Sequence, residues 1–136
     1  MTRESKTMSG IVLLTVPTII FGGNFILNLL SGAHQQFELT SFQVGMFRAG
    51  HGHAGMLIIL AIIAQILADH CHLGAMWIWI VRIGFPFSAV LVSGGFFVAA
   101  AGSGRTEPNA MIFMVYVGML LLAACLVVLG IGLLRK

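Results

Sequence analysis

Charge is what this chain of 136 residues has least of: seven Lys/Arg and four Asp/Glu make up only 8% of it. An ordinary soluble domain carries about 25%. So few charges cannot coat a soluble surface, which excludes a soluble globular enzyme. The apolar excess likewise excludes a disordered segment. The formal net charge of +3 rests mostly on Arg3, Lys6, Arg135 and Lys136 near the two ends. There is accordingly no basic stripe of the kind that binds nucleic acid. Cysteine is scarce: Cys71 and Cys125 stand far apart, form no CxxC pair and imply no disulfide framework. Strict apolar–polar alternation is missing, which removes a membrane β-barrel. No repeat, linker or low-complexity stretch divides the chain.

What is present is hydrophobic side chain, 59% of the residues, with a mean hydropathy of +1.04. About 20 apolar residues span a bilayer core as a helix, and four runs are long enough: Ile11 to Leu30, Phe47 to Ala68, Ala75 to Ala101 and Ala110 to Leu134. Helices satisfy every backbone polar group internally, as lipid demands. The expected fold is therefore all-α, a single four-helix bundle integral to the lipid bilayer. The first run resembles a signal peptide, but it is long enough to span and shows no small-residue cleavage site, so it reads as a retained helix. Gly84-Phe85-Pro86 interrupts the third run, and Pro86 is expected to kink it. Arg3 and Lys6 flank one end of the chain and Arg135 and Lys136 the other. By the positive-inside rule both termini are expected in the cytoplasm, the setting being a bacterial or archaeal cytoplasmic membrane. The link Asp69 to Leu73 then lies inside, and the links 31–46 and 102–109 lie outside. Trp77 and Trp79 fit an interfacial aromatic belt. The amphipathic stretch 31–42 suits a membrane surface. Arg82 is expected to snorkel to the inner interface or to pair with Asp69.

Five histidines stand out against this background: His34 in the outer link, His51 and His53 near the outer end of the second span, His70 and His72 at its inner end. Ionisable residues in membrane spans are costly and are functional candidates by default. At 3.6 residues per turn, His51 and His53 point about 200° apart. The stripe through His51 runs Arg48, His51, Gly55, Ile58, Ile62, Gln65, Asp69 and collects the polar side chains of the span. It should face the bundle. The stripe through His53 runs Leu57, Leu60, Ala64, and His53 is expected to face lipid, a neighbouring subunit or the interface. Gly45, Gly50, Gly52 and Gly55 crowd the same region. Glycine lets a helix or a flat cofactor approach the backbone, and taken without the histidines, plain helix packing explains it somewhat better. In the first span Asn24 and Asn28 share a face. An interhelical hydrogen bond suits Asn24, whereas Asn28 could bond the second nitrogen of a ligating imidazole. Met111 and Met114 are possible metal ligands but ordinary membrane filler, and Tyr116, expected to be buried, needs a partner for its hydroxyl. His70, Cys71 and His72, beside Asp69, have the ligand types of a copper or zinc site. Residues so close in sequence rarely chelate one ion, and a polar cap at the span's end is the better explanation.

The stretch Phe47-Arg48-Ala49-Gly50-His51-Gly52-His53-Ala54-Gly55 resembles the second-helix motif of the heme-copper oxidase subunit I superfamily, in which Arg, two residues, His, one residue and Asn or His enter an apolar helix. The resemblance covers about a dozen residues. It implies that His51 ligates the iron of heme b near the outer face, with Arg48 close to a propionate. His53, His34, Asn28 and Gly55 complete the candidate cofactor residues. The family's second axial histidine and its copper ligands come from helices this chain lacks, and no histidine follows His72; oxygen reduction is therefore not expected. A second ligand would come from His34, His53, a methionine, a symmetry mate or nowhere. The family's arcs of four helices imply a homo-oligomer, a trimer or a dimer.

Three functions follow as expectations. The first is a membrane b-type heme protein for electron transfer or diatomic-gas binding, working with a respiratory or redox partner. The second is a copper- or zinc-binding membrane protein or transporter that uses the outer and inner histidine groups as entry and exit. The third is a cofactor-free accessory subunit of a larger membrane complex.

Overall fold

A computed structural model describes residues 1–31 and 39–135. Among these the chain forms four long helices: α1 (Arg3–Leu30), α2 (Ser41–Ala68), α3 (Ala75–Ala99) and α4 (Phe113–Leu134), the last entered through a 3₁₀ turn at Ala110–Ile112. All four, counting that turn, are long and apolar enough to cross a membrane. The first two begin earlier than the apolar runs, because polar residues cap them. Thr2 accepts a hydrogen bond from the Ser5 amide at the start of α1. At the start of α2, the Thr40 side chain takes the Gln43 amide and the Gln43 side chain takes the Thr40 amide, a reciprocal box that satisfies two otherwise orphaned donors.

α3 is one continuous helix through Gly84-Phe85-Pro86, with Pro86 inside it. Proline has no amide hydrogen for the carbonyl four residues back, here that of Arg82. The Gln65 side chain of α2 donates to that carbonyl at 2.9 Å instead. A neighbouring helix thus supplies the bond that the proline removes.

α3 is the centre of the packing, lying against α2 on one flank and α4 on the other, while α1 lies along α2 and barely meets α3. Among the described residues, α1 and α4 do not touch. The bundle is thus an open row. One apolar core joins Ala61, Ala64 and Ala68 of α2 to Val81 and Phe85 of α3 and Cys125 and Leu129 of α4, with Val12 the only buried member from α1. A second joins Leu57, Ala89, Val92 and Val115. Contact between α3 and α4 is close because glycine allows it. A Cβ on Gly118 would sit 2.8 Å from the Leu91 Cβ, and one on Gly95 2.9 Å from the Val115 backbone nitrogen. Large apolar side chains face outward, Leu14, Phe21 and Leu120 among them, where lipid would solvate them.

The two ends of the row are stitched by polar groups. The Met1 amine lies 3.9 Å from Asp69, and the His72 amide donates to the Gly132 carbonyl at 3.0 Å. The start of α1, the α2–α3 link and the end of α4 therefore share one end of the molecule. At the other end, the Gln43 amide donates to the carbonyls of Ala100 at 2.9 Å and Gly102 at 2.7 Å, and the Thr40 hydroxyl to that of Arg105. Gly102, with φ of 117°, and Gly104, with φ of 60°, make the left-handed bends that bring this loop back over α2.

Candidate functional site

α1, α2 and α3 enclose a cavity of about 510 Å³ that opens between α1 and α3. Small-molecule sites run from about 300 to 1,000 Å³. The wall is apolar along most of its length, with Ile11, Val12, Ile58, Ile83, Phe87 and Val90. His51 lies on this wall near the end where Gly22 and Phe97 also line it. The half-buried imidazole leans on α1: a Cβ on Gly23 would come within 2.8 Å of its Cε1 and 3.0 Å of its Nε2. Gly22 on α1 and Gly94 on α3 line the cavity, and at both positions a Cβ would point into open space. Bare backbone of both α1 and α3 therefore lines the cavity that holds the histidine.

Gly50 explains how α2 and α3 approach at this height. A Cβ there would lie 3.0 Å from the Ser93 carbonyl and 2.9 Å from the Phe97 ring. Ser93 lines the cavity and is 8% exposed. Its hydroxyl is buried without a hydrogen-bond partner, a costly state for a polar group in an apolar surround.

His53 points elsewhere. Its Nδ1 is 2.8 Å from the Ala49 carbonyl. A carbonyl only accepts, so Nδ1 carries the hydrogen and the lone pair of the neutral ring is on Nε2. The ring packs on Phe96, centroids 5.1 Å apart and tilted by 30°. His53 itself is exposed, while Leu57 and Ala64 on the same stripe are buried, because they pack against α3 and α4.

The other candidates separate. Arg48 is exposed, on the stripe but not on the cavity wall. Gly55 meets nothing within 4 Å of a Cβ position, and the same is true of Gly45 and Gly52. Packing thus explains Gly50 alone of the four. Asn28 makes no hydrogen bond to His51 among the described residues; the ring meets Gly23 instead, and five residues of helix separate the two by about 7.5 Å of rise and about 140° of turn. Tyr116, expected to be buried, is 65% exposed on α4. His34 lies outside the described residues.

At the opposite end, Asp69, His70, Cys71 and His72 do not converge. No group of three or more His, Cys, Asp or Glu is placed to hold a metal ion among the described residues. The turn sends each side chain its own way. His70 and His72 are exposed. Cys71 Sγ faces the carbonyls of Leu67 and Leu129, and burial pushes its thiol above the usual range, with Arg82 pulling the other way. Asp69 turns inward and pairs with Arg82 at 2.7 Å, the second of the two expectations for that arginine.

This pair anchors a network that joins three helices. The Arg82 guanidinium also donates to Ser5 Oγ at 2.8 Å and to the carbonyl of Gln65 at 3.2 Å. Ser5 Oγ lies 2.6 Å from that same carbonyl and 2.7 Å from Asp69. The Thr2 amide and hydroxyl donate to the Asp69 carboxylate at 2.8 and 2.7 Å. Arg82 is 3% exposed, and Ser5 and Gln65 are fully buried. Burial raises the Asp69 carboxyl, but the bonds from Arg82, Ser5 and Thr2 outweigh it and hold the group well below the usual carboxylate range. The partners Thr2 and Ser5 were not singled out from sequence, although a Ser-x-x-x-Ser spacing at Ser5 and Ser9 marks one helix face. Gln43 was also missed, and there the signal was the Thr-x-x-Gln box opening α2. Comparison with protein-family models, with curated proteins and with solved structures finds no match to this chain.

Proposed function

We propose that this chain is an integral membrane protein of the b-type heme class, with His51 supplying the axial imidazole, and that it serves electron transfer or diatomic-gas binding. One observation carries the reading: His51 lies on the wall of an apolar cavity of about 510 Å³ that Gly22 and Gly94 also line with bare backbone. A flat macrocycle needs such bare backbone, and one imidazole in an apolar wall is an accepted donor set for heme iron. The His51 ring must turn its Nε2 from Gly23 toward the cavity to ligate. Heme, when bound, would supply the redox and gas-binding chemistry, and the chain contributes the ligand, the apolar surround and exclusion of water. The resemblance at Phe47 to Gly55 supports the same assignment. In this reading the end that carries Thr2, Asp69 and Gly132 is cytoplasmic, the His51 end faces outward, and copies associate as a homo-oligomer that meets a redox partner in the membrane. The copper or zinc reading gains no support from His70, Cys71 and His72, which are not gathered.

The test is an absorption spectrum of the detergent-purified protein, oxidised and dithionite-reduced, after expression with ample heme. The expected outcome is a Soret band that His51→Ala removes and His53→Ala keeps. Gly94→Leu should lower heme content without touching the ligand, by filling the open wall. A featureless spectrum from folded wild-type protein would overturn the proposal and favour the cofactor-free subunit.

A further inference from the structure

The length of the groove and its level in the membrane say what fills it away from His51. It begins on α1 at Met8 and on α3 at Ile83. Just before these residues α1 and α3 are tied together, since Arg82 donates to Ser5 Oγ at 2.8 Å, and the network around Asp69 seals that end. Trp79, one turn before Ile83, is 44% exposed, and tryptophan favours the level of the lipid headgroups. The groove therefore opens at the depth where hydrocarbon chains begin. From Met8 to Ile19 it follows about 16 Å of α1, the depth of one leaflet, half of a core roughly 30 Å thick. His51 lies beyond that stretch, at the level of Gly22 and Gly23. Over the full run from Met8 to Gly22, about 21 Å of helix, the cavity volume amounts to a channel of roughly 24 Å² in section. A hydrocarbon chain, whose carbons meet their neighbours at about 4 Å, needs on the order of 20 Å². A helix about 10 Å across needs on the order of 80 Å². Ile83, Phe87 and Val90 line the groove and yet are 54%, 54% and 63% exposed. Thr15 and Thr18 are also on the wall, but their hydroxyls donate to the Val12 and Thr15 carbonyls at 2.7 and 2.6 Å. No Lys, Arg, Asp or Glu lines the groove among the described residues.

We infer that one acyl chain of a phospholipid, from the leaflet on the Asp69 side, lies in the groove from Met8 to Ile19 with its headgroup outside, beside Trp79. The chain supplies the contact between α1 and α3 that the row of helices lacks. This does not rest on the heme reading, because the stretch stops short of His51. The surrounding bilayer is as apolar as the wall, so the gain is one of shape: a groove of matched width meets the chain on several sides. With only methylene groups recognised, the chain rather than the headgroup decides binding.

Native mass spectrometry reads the retained lipid, with the full chain reconstituted in dipalmitoyl phosphatidylcholine and then extracted into detergent. The wild type should carry one phospholipid per chain. Val90→Trp, which puts an indole into the groove, should lose it, and Leu120→Trp, on the outward face of α4, should keep it. Phosphatidylglycerol with the same chains should be retained equally well. A diazirine halfway along the palmitoyl chain locates the lipid on wild-type protein without any variant. Its label should concentrate on Ile11, Phe87 and Val90, in excess of the outward Leu14 and Leu120. His51→Ala should leave the lipid in place whatever it does to a Soret band, so loss of heme and loss of lipid are separate failures. No retained lipid, retention untouched by Val90→Trp, or label spread evenly over the outward residues would each overturn the inference. Retention of phosphatidylglycerol alone would overturn it in favour of a headgroup site at the charged end. A dimer that shields Phe87 from the label would put a second copy of the chain there instead.

Discussion

At the scale of single residues, the best-defined chemistry is not at the histidines but at Arg82 and Asp69. Both side chains are nearly sealed, at 4% and 7% exposure, and every donor of the pair that faces α1 or α2 finds an acceptor. Removing one partner of a buried ion pair strands the other, at a cost of about 3 to 5 kcal/mol. Arg82→Gln and Asp69→Asn should therefore each lower the thermal midpoint in detergent sharply, while the double variant should cost less than the two single losses added together. The pH dependence has a definite sign. A carboxyl held below its unfolded value contributes stability that is complete above about pH 5 and is lost as pH falls from about 4 toward the folded value. Wild-type protein should lose stability over that acid range. Asp69→Asn should flatten this part of the curve, as differential scanning fluorimetry across pH would show.

Sequence reasoning reached some residues and not others for a physical reason. The wheel put His51, Gln65 and Asp69 on one inward face of α2, and the structure has His51 on a cavity wall, Gln65 fully buried and Asp69 turned inward. Periodicity reports the face of a side chain within one helix. It does not report which neighbour comes to meet that face. Hence Arg48 shares the stripe yet ends up exposed, Asn28 misses His51 because α1 arrives at Gly23, and Tyr116 lands outside because α4 uses its glycine face. A buried orphan such as the Ser93 hydroxyl exists only once two helices have packed, so no sequence pattern marks it.

Among the elements, α2 and α3 are joined by exchange. Gln65 of α2 completes the backbone of α3 where Pro86 leaves it short, and Gln43 of α2 holds the loop that follows α3. Gln65→Leu should thus reintroduce a fault near Pro86, visible as faster amide hydrogen exchange around Arg82. Gln43→Ala should loosen the segment from Ala100 to Arg105 and leave the rest protected. Close helix approach is the other device. Gly50→Ala must part α2 from α3, because the neighbour it meets is a backbone carbonyl, and overpacking of this kind costs about 1 to 3 kcal/mol. Gly45→Ala, with open space around it, should cost far less and gain a little helix propensity. Thermal midpoints of the two alanine variants give the comparison directly. The number and approximate positions of the helices were legible from four apolar runs. The early starts of α1 and α2 were not, since hydropathy is blind to capping boxes.

For the molecule as a whole, the row of helices matters more than their number. α2, α3 and α4 share two apolar cores, whereas α1 is held at its start by Thr2 and Ser5, by Val12 beyond, and farther along by Gly23, on which the His51 ring leans. Between them it stands off from α3 and leaves the groove. Both termini lie at one end, so epitope tags on them should be protected or cleaved together when protease is added to one side of sealed vesicles. Opposite outcomes for the two tags would contradict the packing of His72 on Gly132. The groove's sideways opening also sets the terms in which occupancy is counted. A molecule that reaches His51 between α1 and α3 arrives from the bilayer and returns to it, without crossing into water. Its saturation should therefore follow the number of ligand molecules per lipid. For a ligand that partitions almost wholly into lipid, diluting vesicles with buffer would leave the site as full as before, and diluting them with empty lipid would drain it.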